Sequence, residues 1–525
     1  MIAPTVPSTT LTINRSKRLA ATIASGWLRT VVTTAVALVA TPILIRYLGS
    51  DRFGAAAVAT QWFAYLEFLT FGLGAALSVL LLRVATTGNG ETVPGTVRAG
   101  VSLISRQLLW VLPAAAALVF AFPFVFRLPY PLQEEFYWAA PAILLGVALL
   151  PTGVFRSVLE ARQQGYLVNL CLTVQAGVVA VVGVGLAVAG AGLTGQIWVS
   201  FLGLAVAALL AAHLAGATTR RFWAGSSMDI DRGALSKLRW PLVVAGLGNQ
   251  INLMSDALLV AMLLGVKAVA GFFLTQRLLQ LATVVSGSLS GSGTWAGLVD
   301  LRTRDGVEAF RVRLIEVSKL SVGLNLLVLA PAVGLNRRFM ALWLRDDTVY
   351  AGDAVVLATL AFLGVFNWFC LYAALLDSFG LTRRRVWVST AGTLIKLALL
   401  VPFVSWFGLA GVPMAGVVGY LLTDAWFCPY VLCSEHGVSM RAIGIGLFRA
   451  TALGGGWVAT CFLIANRFAA LTGWWGLAAE AAALETGSLL LAWLLLFSTG
   501  DRELWRRRVV GWFRRPAMTT RGGSA

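Results

Sequence analysis

The sequence predicts an all-α, polytopic membrane protein of about fourteen transmembrane helices, and three observations predict it. First, 58% of its 525 residues are hydrophobic and only 12% are charged, with a mean hydropathy of +0.81. A chain so apolar cannot close as a water-soluble domain of ordinary composition. Second, the apolar residues come in repeated stretches of about 20, the length that crosses roughly 30 Å of hydrocarbon as a helix. A β-barrel would alternate apolar and polar residues over segments of about ten, and Ala35 to Leu44 does not alternate. Third, the basic residues gather in alternate connections between the runs, as they do in membrane proteins whose cytoplasmic loops carry Lys and Arg.

Apolar windows between charged breaks place the spans near 20–46, 53–82, 107–126, 136–155, 166–190, 196–216, 240–264, 268–298, 318–336, 352–376, 386–406, 408–432, 447–466 and 474–498. With both termini cytoplasmic, 30 of the 41 Lys and Arg residues lie on the inner side and 8 on the outer. The other three, Arg29, Arg277 and Lys396, lie inside spans. Adding or removing one span would scramble that asymmetry, which fixes an even count and the orientation. The expected location is the cell inner membrane.

The formal charge of +18 is therefore topological and does not point to a nucleic-acid partner. Cys171, Cys370, Cys428, Cys433 and Cys461 fall in or beside apolar stretches, where a thiol packs as a small hydrophobe, and neither a metal site nor a disulfide is expected. Arg15, Lys17 and Arg18 precede the first apolar run as in a signal peptide, but that run continues to about Tyr47 and reads as a retained span. The sequence has no Gly-Lys dipeptide and so no Walker A loop, and its two histidines, His213 and His436, are far apart. Nothing in the pattern suggests an enzyme or a cofactor. The linker at 217–239 and the basic tail at 499–525 are short, and the tail reads as a solvated stretch on anionic headgroups.

A duplication is visible. Leu48-Gly49 followed by Thr60-Gln61 recurs as Leu264-Gly265 followed by Thr275-Gln276, offset by about 216 residues. Six spans separate the copies, and an even number of crossings returns the chain to the same side, so the halves are parallel repeats with a site expected between them. The resulting division is an N-terminal lobe at 1–216, a linker at 217–239, a C-terminal lobe at 240–432, two additional spans within 447–498 and the tail.

Ionisable groups within spans carry the functional information, because each costs roughly 2.5–3.5 kcal/mol at a helix centre and survives only beside water or a partner. Arg29 and Glu67 lie in spans 1 and 2, while Asp256 and Arg277 lie in the corresponding spans 7 and 8. Each half thus holds one cation and one anion, either as local salt bridges or as the lining of a polar cavity. Asn249, Asn252 and Asp256 are spaced three and then four apart, on one face of span 7. Lys396 and Asp424 form a further candidate pair in spans 11 and 12. Prolines in spans, including Pro42, Pro113, Pro331 and Pro402, are candidate kinks.

The segment Thr41-Pro-Ile-Leu-Ile-Arg-Tyr-Leu-Gly-Ser-Asp-Arg-Phe-Gly54 resembles the end of the first helix in polysaccharide-biosynthesis flippases of the multidrug/oligosaccharidyl-lipid/polysaccharide exporter superfamily. Phe155 to Gly165, Leu376 to Arg385 and Gly408 to Gly416 are similar to that family's connections. The chain departs at Thr70, where many relatives carry Asp, and at Trp295, near where proline is common. The resemblance implies two six-helix lobes around a central cavity and a polyprenyl-diphosphate-linked saccharide as cargo. On that reading Arg29 and Arg277 attract the diphosphate, Asn249, Asn252, Gln61 and Gln276 meet the sugars, and Glu67, Asp256 or Asp424 loads a coupling proton or sodium ion. Glycosyltransferases and a polymerase of the same pathway are the expected protein partners. The alternatives are a cation-coupled exporter of small organic molecules and a non-transporting membrane scaffold of a glycan assembly complex.

Overall fold

The computed structural model describes residues 8–66, 80–81, 92–216, 251, 255–290, 292–467, 473–497 and 502–503. Among them no strand occurs, and the helices are α1 (Ser8–Leu66), α2 (Thr92–Val125), α3 (Tyr130–Ala148), α4 (Gly153–Ala161), α5 (Gly165–Val188), α6 (Gly192–Leu214), α7 (Ser255–Leu264), α8 (Val266–Ser290), α9 (Ser292–Leu344), α10 (Asp353–Ser378), α11 (Thr382–Phe407), α12 (Gly411–Leu422), α13 (Asp424–His436), α14 (Met440–Arg467) and α15 (Gly473–Leu491). Ten stretches of described helix are long and apolar enough to cross a bilayer. Most of predicted span 7 and the second half of span 2 lie outside the described residues. The chain is a multi-span, all-helical membrane protein, and its contacts fall into two units, Met1–Leu274 and Thr275–Ala525.

Helices run without interruption through Pro42, Pro113, Pro331 and Pro402. The backbone instead leaves helical geometry at Gly49 (φ 76°), at Gly306 (φ 87°) and at Thr423. A positive φ is cheap only for glycine, so Gly49 and Gly306 mark where the sequence permits a break. Gly265, between α7 and α8, has φ 86°. The duplicated Leu-Gly steps at 49 and 265 are thus the same structural device, a left-handed residue between two helices. Several helices also outrun their predicted spans. α2 begins at Thr92 rather than near 107, carrying Arg98 and Arg106, because hydrogen bonding continues a helix beyond the point where apolarity stops.

Contacts inside each unit agree with the alternation of loops. In the first, Arg52 pairs with Glu135 at 2.6 Å, and the second Glu135 oxygen accepts the backbone N–H of Leu193 at 2.6 Å, which ties the connections after spans 1, 3 and 5 together. At the opposite end Arg18 donates to the Arg162 carbonyl (3.3 Å) and Arg162 to that of Ala215 (3.2 Å). Since Phe63 meets Phe201 edge-on at 4.8 Å, deep along α6, α1 folds back on itself at Gly49. In the second unit Arg311 donates to the His436 carbonyl (2.6 Å), Arg384 pairs with Glu435 (3.0 Å) and Arg302 lies over the Phe379 ring (4.8 Å), which joins the connections after spans 8, 10 and 12.

Gly54 sits where α1 crosses the start of α8. A Cβ there would stand 1.9 Å from the Val266 carbonyl oxygen, so no other residue fits without moving backbone. Large aromatics such as Trp387 and Trp406 face outward near the ends of α11, as interfacial rings do.

Two measurements test this packing. Glu135→Ala removes the partner of both Arg52 and the Leu193 N–H and is expected to cost about 1–3 kcal/mol, more than Arg52→Ala, read as a lower thermal midpoint of the purified protein. Gly54→Leu is expected to cost more than either.

Candidate functional site

The polar groups within the spans fall into two sorts, those with partners and those without. Among the described residues Asp424 is the most buried acid, with none of its surface exposed. It opens α13 immediately after the break at Thr423 (φ −129°, ψ −93°), and that break lets the Asp424 side chain turn into the α11 interface. Its Oδ1 accepts the Ser389 hydroxyl, the Thr423 hydroxyl stands 3.2 Å from Oδ2, and the Cys428 thiol reaches Oδ1 at 3.8 Å. Donors thus surround the carboxylate on three sides. Gly392 keeps the approach open, since a Cβ there would lie 2.4 Å from Thr423 Oγ1.

Lys396 is only 1% exposed on the same helix interface, with Nζ 5.5 Å from the centroid of the Phe362 ring. Its chain runs along α12 past Gly419 toward Gly416, where a Cβ would stand 3.7 Å from its Cε. Asp424 lies eight residues beyond Gly416, about 12 Å along the helix. The expected Lys396–Asp424 pair is therefore not formed: the partners of Asp424 are Ser389, Thr423 and Cys428.

Arg29 and Arg277 are half-buried on α1 and α8, and neither makes a salt bridge or side-chain hydrogen bond to a described residue. Glu67, the expected companion of Arg29, lies outside the described residues. Asp256, the expected companion of Arg277, belongs to the first contact unit and is electrostatically coupled to the Tyr65 phenol. Gln61 is half-buried four residues before Tyr65, on the same face of α1, and its Oε1 has no hydrogen-bond partner. The indole N–H of Trp62 beside it is also unpaired, while its ring packs edge-on against Phe122 and Phe126. Gln276 is half-buried on α8 beside the fully buried Thr275, whose hydroxyl accepts the Ala351 N–H (2.8 Å) and whose carbonyl accepts Asn336 Nδ2 (3.0 Å). Asn249 and Asn252 lie outside the described residues.

Sequence reasoning passed over several polar groups. Asn367 donates to Asn325 at 2.9 Å, Ser318 and Tyr372 share a 2.6 Å hydrogen bond, and Ser488 links Trp457 to the Leu327 carbonyl. These staple helices together. Arg338 and Glu480, both largely buried, pair to fasten α9 to α15. Also passed over is a pair of adjoining cavities inside the first unit, walled in part by Thr60, Gln175 and Ser200. The signal for it was Gln175, an amide within the apolar run of α5. Among the described residues no cluster of His, Cys, Asp or Glu is placed to hold a metal ion.

The sequence pattern described as "Polysaccharide biosynthesis protein" matches residues 19–293, more than half of the chain. No curated sequence matches it. Among solved structures it is similar to a lipid II flippase, MurJ, in an inward closed conformation, at 13% identity and a TM-score of 0.64, covering 93% of this chain and 100% of that one. It is also similar to an inward-facing multidrug resistance transporter of the MATE family, within the MOP superfamily, at 16% identity and a TM-score of 0.59, covering 82% of this chain and 95% of the other. A MATE structure in the bent conformation aligns at 16% identity and a TM-score of 0.51, over 86% and 98% of the two chains. The likeness at these identities is one of fold.

Replacing Asp424 with Asn keeps an acceptor for Ser389, whereas Leu strands the Ser389 hydroxyl and the Cys428 thiol, the Thr423 hydroxyl keeping the Gly419 carbonyl. Asp424→Leu is accordingly expected to lower the thermal midpoint in detergent, by about 1–3 kcal/mol per stranded buried group, and Asp424→Asn to leave it within error.

Proposed function

Because the chain belongs to the polysaccharide biosynthesis protein family, we propose that it moves a lipid-linked saccharide, carried on a polyprenyl diphosphate, from the cytoplasmic to the outer leaflet by alternating access. The observation that carries this reading is the pair of half-buried arginines. Arg29 and Arg277 sit within apolar helices, and no described carboxylate neutralises either. A guanidinium kept in a membrane span without an acid is costly to the fold and is well matched to a phosphate, whose oxygens its fork of donors engages in pairs. The unpaired Gln61 Oε1 offers an acceptor suited to a sugar hydroxyl. Fold likeness to a lipid II flippase and to MATE transporters supports a moving-lobe mechanism. With no Walker A motif in the chain, transport draws on a gradient or on a partner, and for a gradient Asp256 and Asp424 are the described acids suited to carry a coupling proton or sodium ion.

Export of small organic molecules is the second reading, favoured by the MATE fold likeness and by the buried carboxyl of Asp424. The two diverge experimentally. In cells carrying the chain as the sole copy, Arg29→Ala and Arg277→Ala are each expected to cut surface polysaccharide at least about tenfold, the effect of losing ~1.4 kcal/mol of headgroup attraction, with protein levels unchanged. Lys at either site keeps the charge but loses the paired contacts and is expected to restore export in part. Wild-type export by both Ala variants, or drug sensitivity of the deletion strain with normal surface glycans, would overturn the saccharide reading.

A further inference from the structure

The first unit contains two adjoining cavities of about 360 and 420 Å³, bounded by α3 to α6 and the second half of α1. Leu172, Gln175 and Leu204 line both, so the two spaces meet at those side chains. Either volume alone falls in the range of small-molecule sites, and the walls are mainly apolar. A water-soluble protein would leave so apolar a space dry. In a bilayer, hydrocarbon is the solvent at hand.

One end of the larger lining set is ionic. Arg156 and Glu160, one helical turn apart on α4, stand 3.2 Å from each other with side chains 52% and 47% exposed. α4 starts after the backbone irregularity at Leu150–Thr152, which turns its charged face away from the bundle while Val154 and Val158 stay buried. The ionic end lies with Arg18, Arg162 and Ala215, at the end of the helices that the sequence assigns to the inner leaflet. Beyond it come Ser157 and Thr152, and the rest of the path is apolar apart from Gln175, Thr60 and Ser200. A positive and a negative group side by side at a membrane surface, with an apolar space behind them, complement a zwitterionic headgroup attached to a hydrocarbon chain.

We propose that this unit holds one zwitterionic phospholipid from the leaflet on the Arg156 side, its phosphate at Arg156, its ammonium at Glu160 and one acyl chain in the cavities. The lipid is distinct from the cargo proposed above, because a diphosphate that engages Arg156 brings no ammonium to take that guanidinium's place beside the Glu160 carboxylate. The site therefore stands or falls independently of the transport reading.

Native mass spectrometry of the full chain, purified from vesicles of equal phosphatidylethanolamine and phosphatidylglycerol, tests it. The wild type is expected to retain one phosphatidylethanolamine, preferred over phosphatidylglycerol by about fivefold, the scale of one exposed ionic contact. Glu160→Gln, on an exposed face and so neutral to folding, is expected to abolish that preference. Ala208→Phe, which projects a ring into the cavity, is expected to empty the site. Should Ala208→Phe fail to fold, the Glu160→Gln comparison decides. A wild type that retains no phospholipid or shows no preference, a Glu160→Gln protein as selective as wild type, or a folded Ala208→Phe protein with wild-type occupancy would overturn the site. Retention of a polyprenyl diphosphate lipid in its place, after purification from native membranes, would assign the cavity to the cargo.

Discussion

Hydrocarbon offers a peptide group nothing to bond to, and most of this architecture follows from that shortage. Every described crossing is a helix because only a helix satisfies its own N–H and C=O groups within one segment. Departures are correspondingly few and carefully placed. Gly49 and Gly265 occupy chain reversals at one end of the helices, where headgroups or water can take over the freed groups. Thr423 breaks the helix inside the apolar region, but it does so buried against α11, with its own hydroxyl near the Gly419 carbonyl and Asp424. Once the backbone is bound to regular helices, specificity has to come from side chains and from close approach. Gly54 against Val266 and Gly419 against Gly392 are among the approach points, each excluding even a methyl group.

The same shortage sorts the polar side chains. Ser318 with Tyr372, Asn367 with Asn325 and Ser488 with Trp457 form satisfied pairs that fasten one helix to the next and leave nothing over for a ligand. Asp424 is the charged version of that arrangement, a carboxylate wrapped by hydroxyl and thiol donors. Arg29, Arg277 and Gln61 are different in kind, because the described protein supplies no partner for the two guanidinium groups or for the amide oxygen. Groups that cost stability without repaying it locally are the natural place to look for a ligand.

Fold and family answer different questions here. The fold is shared with a lipid II flippase and with multidrug transporters, which differ in what they move, so architecture alone does not choose a cargo. The family match narrows the field to polysaccharide biosynthesis, and the anionic headgroup proposed for Arg29 and Arg277 is what would narrow it further.

Periodicity and apolar length determined the all-helical membrane class, because hydrophobic thickness is a property of short segments. The ionic contacts bring the connections after spans 1, 3 and 5 together at one end of the helices. Leu48-Gly49 and Leu264-Gly265 were legible as a repeat, though not as left-handed breaks. The prolines read as candidate kinks lie inside helices that continue through them, since a membrane helix tolerates a missing N–H where neighbours re-satisfy the freed carbonyl. Only the tertiary structure decided which polar groups find partners. It turned Lys396 toward Phe362 and Asp424 toward Ser389, and it enclosed Gln175 in a cavity, because pairing depends on the rotation and crossing of helices far apart in sequence.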